Sequence, residues 1–183
     1  ISPGPASSSG SKMSIDLLIL LLLLSHLVFL FPLKDRRSRR YGFPWMTASL
    51  VAVNILIHGG LEFHFSQTLP GHSDEAVWRA MYPFMRVPRL ILERQGLGTL
   101  SCLTSAFLHA NLSHLLGNMF FLWFFGRKVE DATGSLGFGL LYLLCGFTSS
   151  LLSVVAQAAL SPLNAQIPHL GASGAIAGVM GAY

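Results

Sequence analysis

"LGFGLLYLLCGFTSSLLSVV" occupies residues 136–155. The stretch holds no charged residue over a length of helix, about 20 residues, that crosses a bilayer. The whole chain agrees with it: 52% of residues are hydrophobic and only 11% are charged. An ordinary soluble domain carries about a quarter charged residues. The expected fold is therefore an all-α polytopic membrane protein, since a spanning backbone must satisfy its own hydrogen bonds.

Working outward, further segments share this character. "PWMTASLVAVNILIHGGL" covers Pro44–Leu61, and a third segment runs from about Leu112 to Phe125. That third segment reaches spanning length only by including residues up to Asp131. Ile15–Leu33 is nearly pure leucine, and a last apolar segment begins near Ala172 and is cut at Tyr183. A secretory signal peptide is the alternative for Ile15–Leu33, but "MSID" after Met13 is acidic where a signal peptide is basic. No small-residue cleavage site precedes the basic run either, so a membrane anchor is the favoured reading. Residues 1–12, "ISPGPASSSGSK", are low-complexity and carry no functional signal.

Charge supplies the orientation. Five of the twelve Lys/Arg residues lie in "KDRRSRR", Lys34–Arg40, between two apolar runs. A polybasic segment there is a topology signal that marks the cytoplasmic side, rather than a nucleic-acid patch, which needs a soluble face. Alternation then puts residues 62–108 at the outer face, "GRKVED" (126–131) inside, and residues 156–171 outside. Arg79, Arg86, Arg89 and Arg94 in the outer loop oppose this orientation, but Trp78, Tyr82 and Phe84 fit an interfacial hairpin. Cys102 and Cys145 show neither disulfide nor metal-ligand spacing and read as inert thiols.

Two polar clusters meet at the outer level. "HANLSHLLGN" places His109, His114 and Asn118 around the start of the third segment, with Asn111 as its N-cap. His114 and Asn118, four apart, share a helix face. "GASGAIAGVMGAY" puts Ser173 in the first turn of the last helix. A serine there stands beside unpaired backbone N–H groups that favour developing negative charge. Imidazole and carboxamide donors at the same depth can complete an oxyanion hole. Each residue also has a purely structural reading. Gly174, Gly178 and Gly181 suit close helix packing, and His114 and Asn118 suit interhelical hydrogen bonds. No His-Glu-x-x-His motif and no nearby carboxylate indicates a metal, and Ala175 breaks the Gly-x-Ser-x-Gly nucleophile elbow. The residues supply no convincing base for Ser173; His109, His114 and His169 are all open candidates.

These motifs resemble the rhomboid family of intramembrane serine proteases over about residues 41–183. The resemblance rests on His-x4-His-x3-Asn, on "FGRKVED", on Gly-x-Ser-Gly, and on "FPWMTASLVAVNILI" as a first core helix. It implies a rhomboid-like helix bundle: an extra N-terminal apolar helix (13–40 with its polybasic loop), then the first four core helices, the last cut off. Ser173 maps to the nucleophile of a Ser-His dyad. His114 and Asn118 map to the oxyanion site, His109 and Gly171 to supporting positions, and Glu130 to a structural one. The dyad histidine belongs to a later helix and has no counterpart before Tyr183, so the expectation is a truncated chain that is inactive alone. Two further departures are Leu100 and Ser101, where a Trp-Arg pair is usual, and Leu112, where many bacterial members have Trp. The implied activity is endoproteolysis of transmembrane protein substrates within the lipid bilayer. It needs no cofactor, metal or nucleic acid, and it implies a multi-pass location in a bacterial plasma membrane with the site near the outer face. A non-catalytic rhomboid-like binder of transmembrane segments is the alternative. A small transporter is weaker, because no inverted repeat is visible.

Overall fold

The computed structural model describes residues 42–68, 74–160 and 163–183. The expected anchor, the polybasic loop and the low-complexity start lie outside the described residues. Seven α-helices occur among those described: α1 (Trp45–Thr68), α2 (Asp74–Met81), α3 (Pro88–Leu92), α4 (Ser101–Thr104), α5 (Leu112–Thr133), α6 (Ser135–Leu160) and α7 (Ser173–Ala182). α1 and α6 are long and apolar enough to cross a membrane. α5 has the length, 22 residues or about 33 Å of rise, but Arg127, Lys128, Glu130 and Asp131 crowd its last turns.

Burial decides between a membrane bundle and a soluble core. On α1 the buried residues are Thr47, Asn54, His58 and Phe65, at intervals of seven, four and seven that keep them on one face. Three of the four are polar. Leu56 and Phe63 on the opposite side are 71% and 69% exposed. α6 likewise leaves Leu136, Leu144 and Leu152 outward. Polar groups inside and leucine outside reverse the pattern of a water-soluble helix. Such a surface suits hydrocarbon, and the protein is an integral membrane protein.

α1 runs seven residues past the expected end at Leu61. Its extra turns are held by packing: Phe65 is buried with Met81, Met85 and Leu108, all between α1 and α5, flanked by Leu61. The Ser66 and Thr68 hydroxyls donate back to the carbonyls of Phe63 and His64. α6 also outruns its expected end, Val155, and reaches Leu160.

The other end of α1 is closed by a side chain from a different helix. Its first backbone N–H groups have no intrahelical partner. The buried carboxylate of Glu130 on α5 accepts from Met46 N–H at 2.9 Å, Thr47 N–H at 2.8 Å and the Thr47 hydroxyl at 2.7 Å. It also accepts from the Ser135 hydroxyl at the start of α6. One carboxylate thus ties α1, α5 and α6 together, with its charge at the positive end of the α1 dipole. Close by, Gly126 lets α5 approach: a Cβ there would meet Phe138 Cζ at 3.0 Å and Thr47 Cγ2 at 3.1 Å.

α7 lies against α6 through small residues. A Cβ at Gly174 would fall 2.5 Å from Ser149 Oγ, and one at Gly178 would fall 2.4 Å from Cys145 Cβ. Gly146 of α6 in turn receives Ala175. Helices in lipid lack a hydrophobic drive to associate and gain from this close van der Waals contact. Ile176 and Val179 on α7 complete a core with Leu115, Met119, Leu122 and Phe138.

Candidate active site

α5 begins where expected. Asn111 has extended backbone, and its Oδ1 accepts the His114 N–H at 2.9 Å and the Ser113 hydroxyl at 2.7 Å. That cap fixes the first turn, and with it the positions of His114 and, one turn on, Asn118. Ser173 is the first residue of α7. Between them lies Gly171 with φ +115°, a conformation that disfavours any side chain. A Cβ at Gly171 would lie 2.8 Å from His114 Cε1, 3.0 Å from its Nε2 and 3.7 Å from Asn118 Nδ2. The two helix starts therefore converge through a glycine that only glycine can fill. Gly171 N–H is itself held by the Ser105 carbonyl at 2.8 Å.

Asn118 is buried, and its Nδ2 has no hydrogen-bond partner among the described residues. An unpaired buried amide is costly and is available to an incoming oxygen. His109 is also buried, its ring edge-on to His114 with centroids 5.3 Å apart. Burial, then the neighbouring imidazoles of His114 and His58, push the His109 pKa down to about 4. At neutral pH it is an uncharged imidazole beside His114. His58 on α1 is a third imidazole of this group, and the sequence reading passed over it.

His169 stands four residues before Ser173, yet its Nε2 is engaged by Gln157 Oε1. Gln157 Nε2 donates to Ser153 Oγ at 2.6 Å, so the amide turns its oxygen to His169 and the imidazole carries the proton on Nε2. Burial and then the nearby Arg86 charge lower the His169 pKa. The Ser173 hydroxyl makes no hydrogen bond among the described residues. None of His109, His114 and His169 is hydrogen-bonded to it.

A polar cavity of about 170 Å3 opens beside Ser173, lined by Arg86, Ser149, Ser150, Ser153, His169 and Gly174 among others. Ser149, Ser153 and Gln157 recur every four residues along α6, which puts them on one face. That spacing, 149–153–157, was the signal available in an otherwise apolar segment. A larger cavity of about 450 Å3, between α1 and residues 80–108, is apolar apart from His64 and Thr104 and shares no lining residue with the polar one.

A serine at a helix start, two residues past a glycine that packs on an imidazole and a carboxamide in a lipid-embedded bundle, defines a class: helical membrane proteins with a polar site among their helix ends. The comparisons name the family within that class. A family model described as Rhomboid domain matches residues 98–183. RHOMBOID-like protein 1 of Arabidopsis thaliana is 31% identical over 80% of this chain and 40% of its own length. RHOMBOID-like protein 4 of the same plant is 38% identical over 78% of the chain and 39% of its length. Rhomboid protease GluP of Bacillus subtilis (strain 168) is 44% identical over 44% of the chain and 14% of its length. The chain belongs to the rhomboid family. It spans less than half the length of these relatives, and no solved structure matches it.

Proposed function

We propose that the full-length protein is an intramembrane serine endopeptidase that hydrolyses peptide bonds in or near transmembrane helices of other membrane proteins. The observation that carries this reading is the convergence of His114, Asn118 and Gly171 on the start of the helix that bears Ser173. Ser173 Oγ attacks the scissile carbonyl while its proton passes to a dyad histidine on a later helix of the full-length protein. The carbonyl oxygen becomes an oxyanion, which takes hydrogen bonds from Asn118 Nδ2, the His114 imidazole and the free N–H groups of the first α7 turn. Collapse breaks the C–N bond, the histidine protonates the leaving amine, and water releases the acyl group by the reverse proton route. Substrates need helix-destabilising residues, so that the scissile backbone can leave its own hydrogen bonds.

Residues 41–183 are taken as the partial protease domain and residues 13–40 as an anchor with its cytoplasmic loop. The active-site end then faces away from the cytoplasm. The names of the relatives span plant, mitochondrial and bacterial proteins, so cell fractionation decides between a bacterial plasma membrane and an organelle membrane. A specific observation favours a second reading, a non-catalytic binder of transmembrane segments: Gly174 and Gly178 are fully accounted for by packing on α6. Treatment of the full-length protein with a fluorophosphonate, followed by peptide mass spectrometry, separates the two. The protease carries the label on Ser173; a folded protein with an unlabelled Ser173 fits the binder.

A further inference from the structure

The segment "MYPFMRVPRL", residues 81–90, connects α2 to α3 and carries one half-buried charge, Arg86. Its neighbours Met85 and Val87 are extended and almost completely buried. Pro88 follows and disfavours a helical turn at Val87. In extended backbone alternate side chains point to opposite sides. The two apolar residues therefore anchor the strand-like stretch and direct Arg86 the other way.

Two sets of bonds tie Arg86 to the approach of Ser173. Its backbone pairs with His169 in both directions, N–H to O at 2.9 Å each, the one β-bridge among the described residues. Its guanidinium donates to Ser150 Oγ at 2.8 Å and to Ser153 Oγ at 3.4 Å on α6. Gln157 closes the circuit, donating to Ser153 and accepting from His169. Arg86, Ser153, Gln157 and His169 form a ring that spans the connecting segment, α6 and the loop before α7. Gly171, two residues past His169, then takes its second hold on Ser105.

No carboxylate pairs with Arg86 among the described residues; the nearby Arg79–Glu75 and Arg89–Glu93 are exposed helix pairs that do not involve it. A half-buried cation without a counter-ion is expensive, so attraction to an acid does not explain it. Its planar fork does: two prongs reach two hydroxyls one helical turn apart, which the single ammonium of lysine cannot reproduce.

We infer that Arg86 is a positioning residue, which clamps the 163–172 loop to α6 and so sets where Ser173 stands relative to His114 and Asn118. The inference deepens the protease reading and rests on it for its kinetic consequence. Arg86 touches no reacting atom. It acts through His169 and Gly171, and a misplacement of about 1 Å at a reacting group costs on the order of 10²-fold in rate.

The test uses the full-length protein in detergent micelles with Arg86→Gln and Arg86→Lys, and two readouts. Hydrogen–deuterium exchange should quicken about ten-fold or more in the peptide covering residues 163–172 of Arg86→Gln, as expected for loss of charge-assisted bonds. Exchange in Trp45–Thr68 should stay unchanged. Cleavage of a transmembrane substrate should show kcat lowered by roughly 10- to 100-fold with KM within about three-fold. Arg86→Lys should remain impaired in kcat. Unchanged loop exchange, or equal quickening in every helix, overturns the clamp. Full activity in Arg86→Lys overturns it too, because charge alone would then suffice. If the wild-type protein cleaves nothing, the protease reading fails, while the exchange experiment still decides whether Arg86 holds the loop.

Discussion

Replacing Glu130 tests the junction on which the bundle is built. Its two oxygens have matched duties: Oε1 accepts from Met46 N–H and the Ser135 hydroxyl, Oε2 from Thr47 N–H and the Thr47 hydroxyl. Each oxygen therefore faces one backbone N–H that cannot turn and one hydroxyl that can. In Glu130→Gln the amide must put its NH2 at one of these places. The hydroxyl there can rotate and accept, but the backbone N–H is left unpaired against another donor. One unsatisfied buried group costs about 1–3 kcal/mol. Glu130→Ala strands both backbone N–H groups, roughly 2–6 kcal/mol on the same scale, and removes the charge from the α1 dipole. Unfolding in mixed detergent micelles, followed by tryptophan fluorescence, should rank wild type above Gln and Gln above Ala. A Gln variant within about 0.5 kcal/mol of wild type, the range of an ordinary surface change, would refute the capping argument. Equal losses for Gln and Ala would refute the division of labour between the oxygens.

Two other perturbations separate packing from chemistry. Gly174→Ala and Gly178→Ala should each destabilise the α6–α7 contact by about 1–3 kcal/mol. Ser149→Ala should partly rescue the first, because the clash is mainly with Oγ, whereas Cys145→Ala should rescue the second less, because it removes the Sγ clash but keeps the equally close Cβ. His109 gives the pH dependence. Its folded pKa is depressed from 6.5 to about 4, so the unfolded chain binds the proton more readily between those values. Stability should be fully present above pH 6.5 and fall as the pH drops toward 4, and His109→Gln should flatten this slope in thermal melts taken across the range.

Much of this arrangement was legible because hydropathy and capping are local. The apolar run at 136–155 is a helix, Asn111 caps α5, and Gly174 and Gly178 pack as small residues in lipid do. The extension of α1 to Thr68 was not legible, because Phe65 stays helical through contacts with Met81 and Leu108 that the local sequence does not announce. Glu130 was visible as a position, but its partners Met46 and Thr47 lie more than eighty residues away. The Arg86–His169 pairing is equally remote, and a β-bridge of one residue pair leaves no periodicity. The polar row Ser149, Ser153 and Gln157 did have helical spacing, but it was masked by the leucines around it.

The central claim is that Ser173 is a nucleophile served by oxyanion donors. It is tested most directly by turnover of a transmembrane substrate by full-length protein, in wild type and in Ser173→Ala, with His114→Ala and Asn118→Ala alongside. Ser173→Ala should show no turnover. Each donor variant should retain residual activity, lowered on the order of 10²–10³-fold, as when one oxyanion donor is lost. A folded Ser173→Ala protein that cleaves at the wild-type rate would contradict the account and leave helix packing as the whole meaning of the glycine-flanked serine.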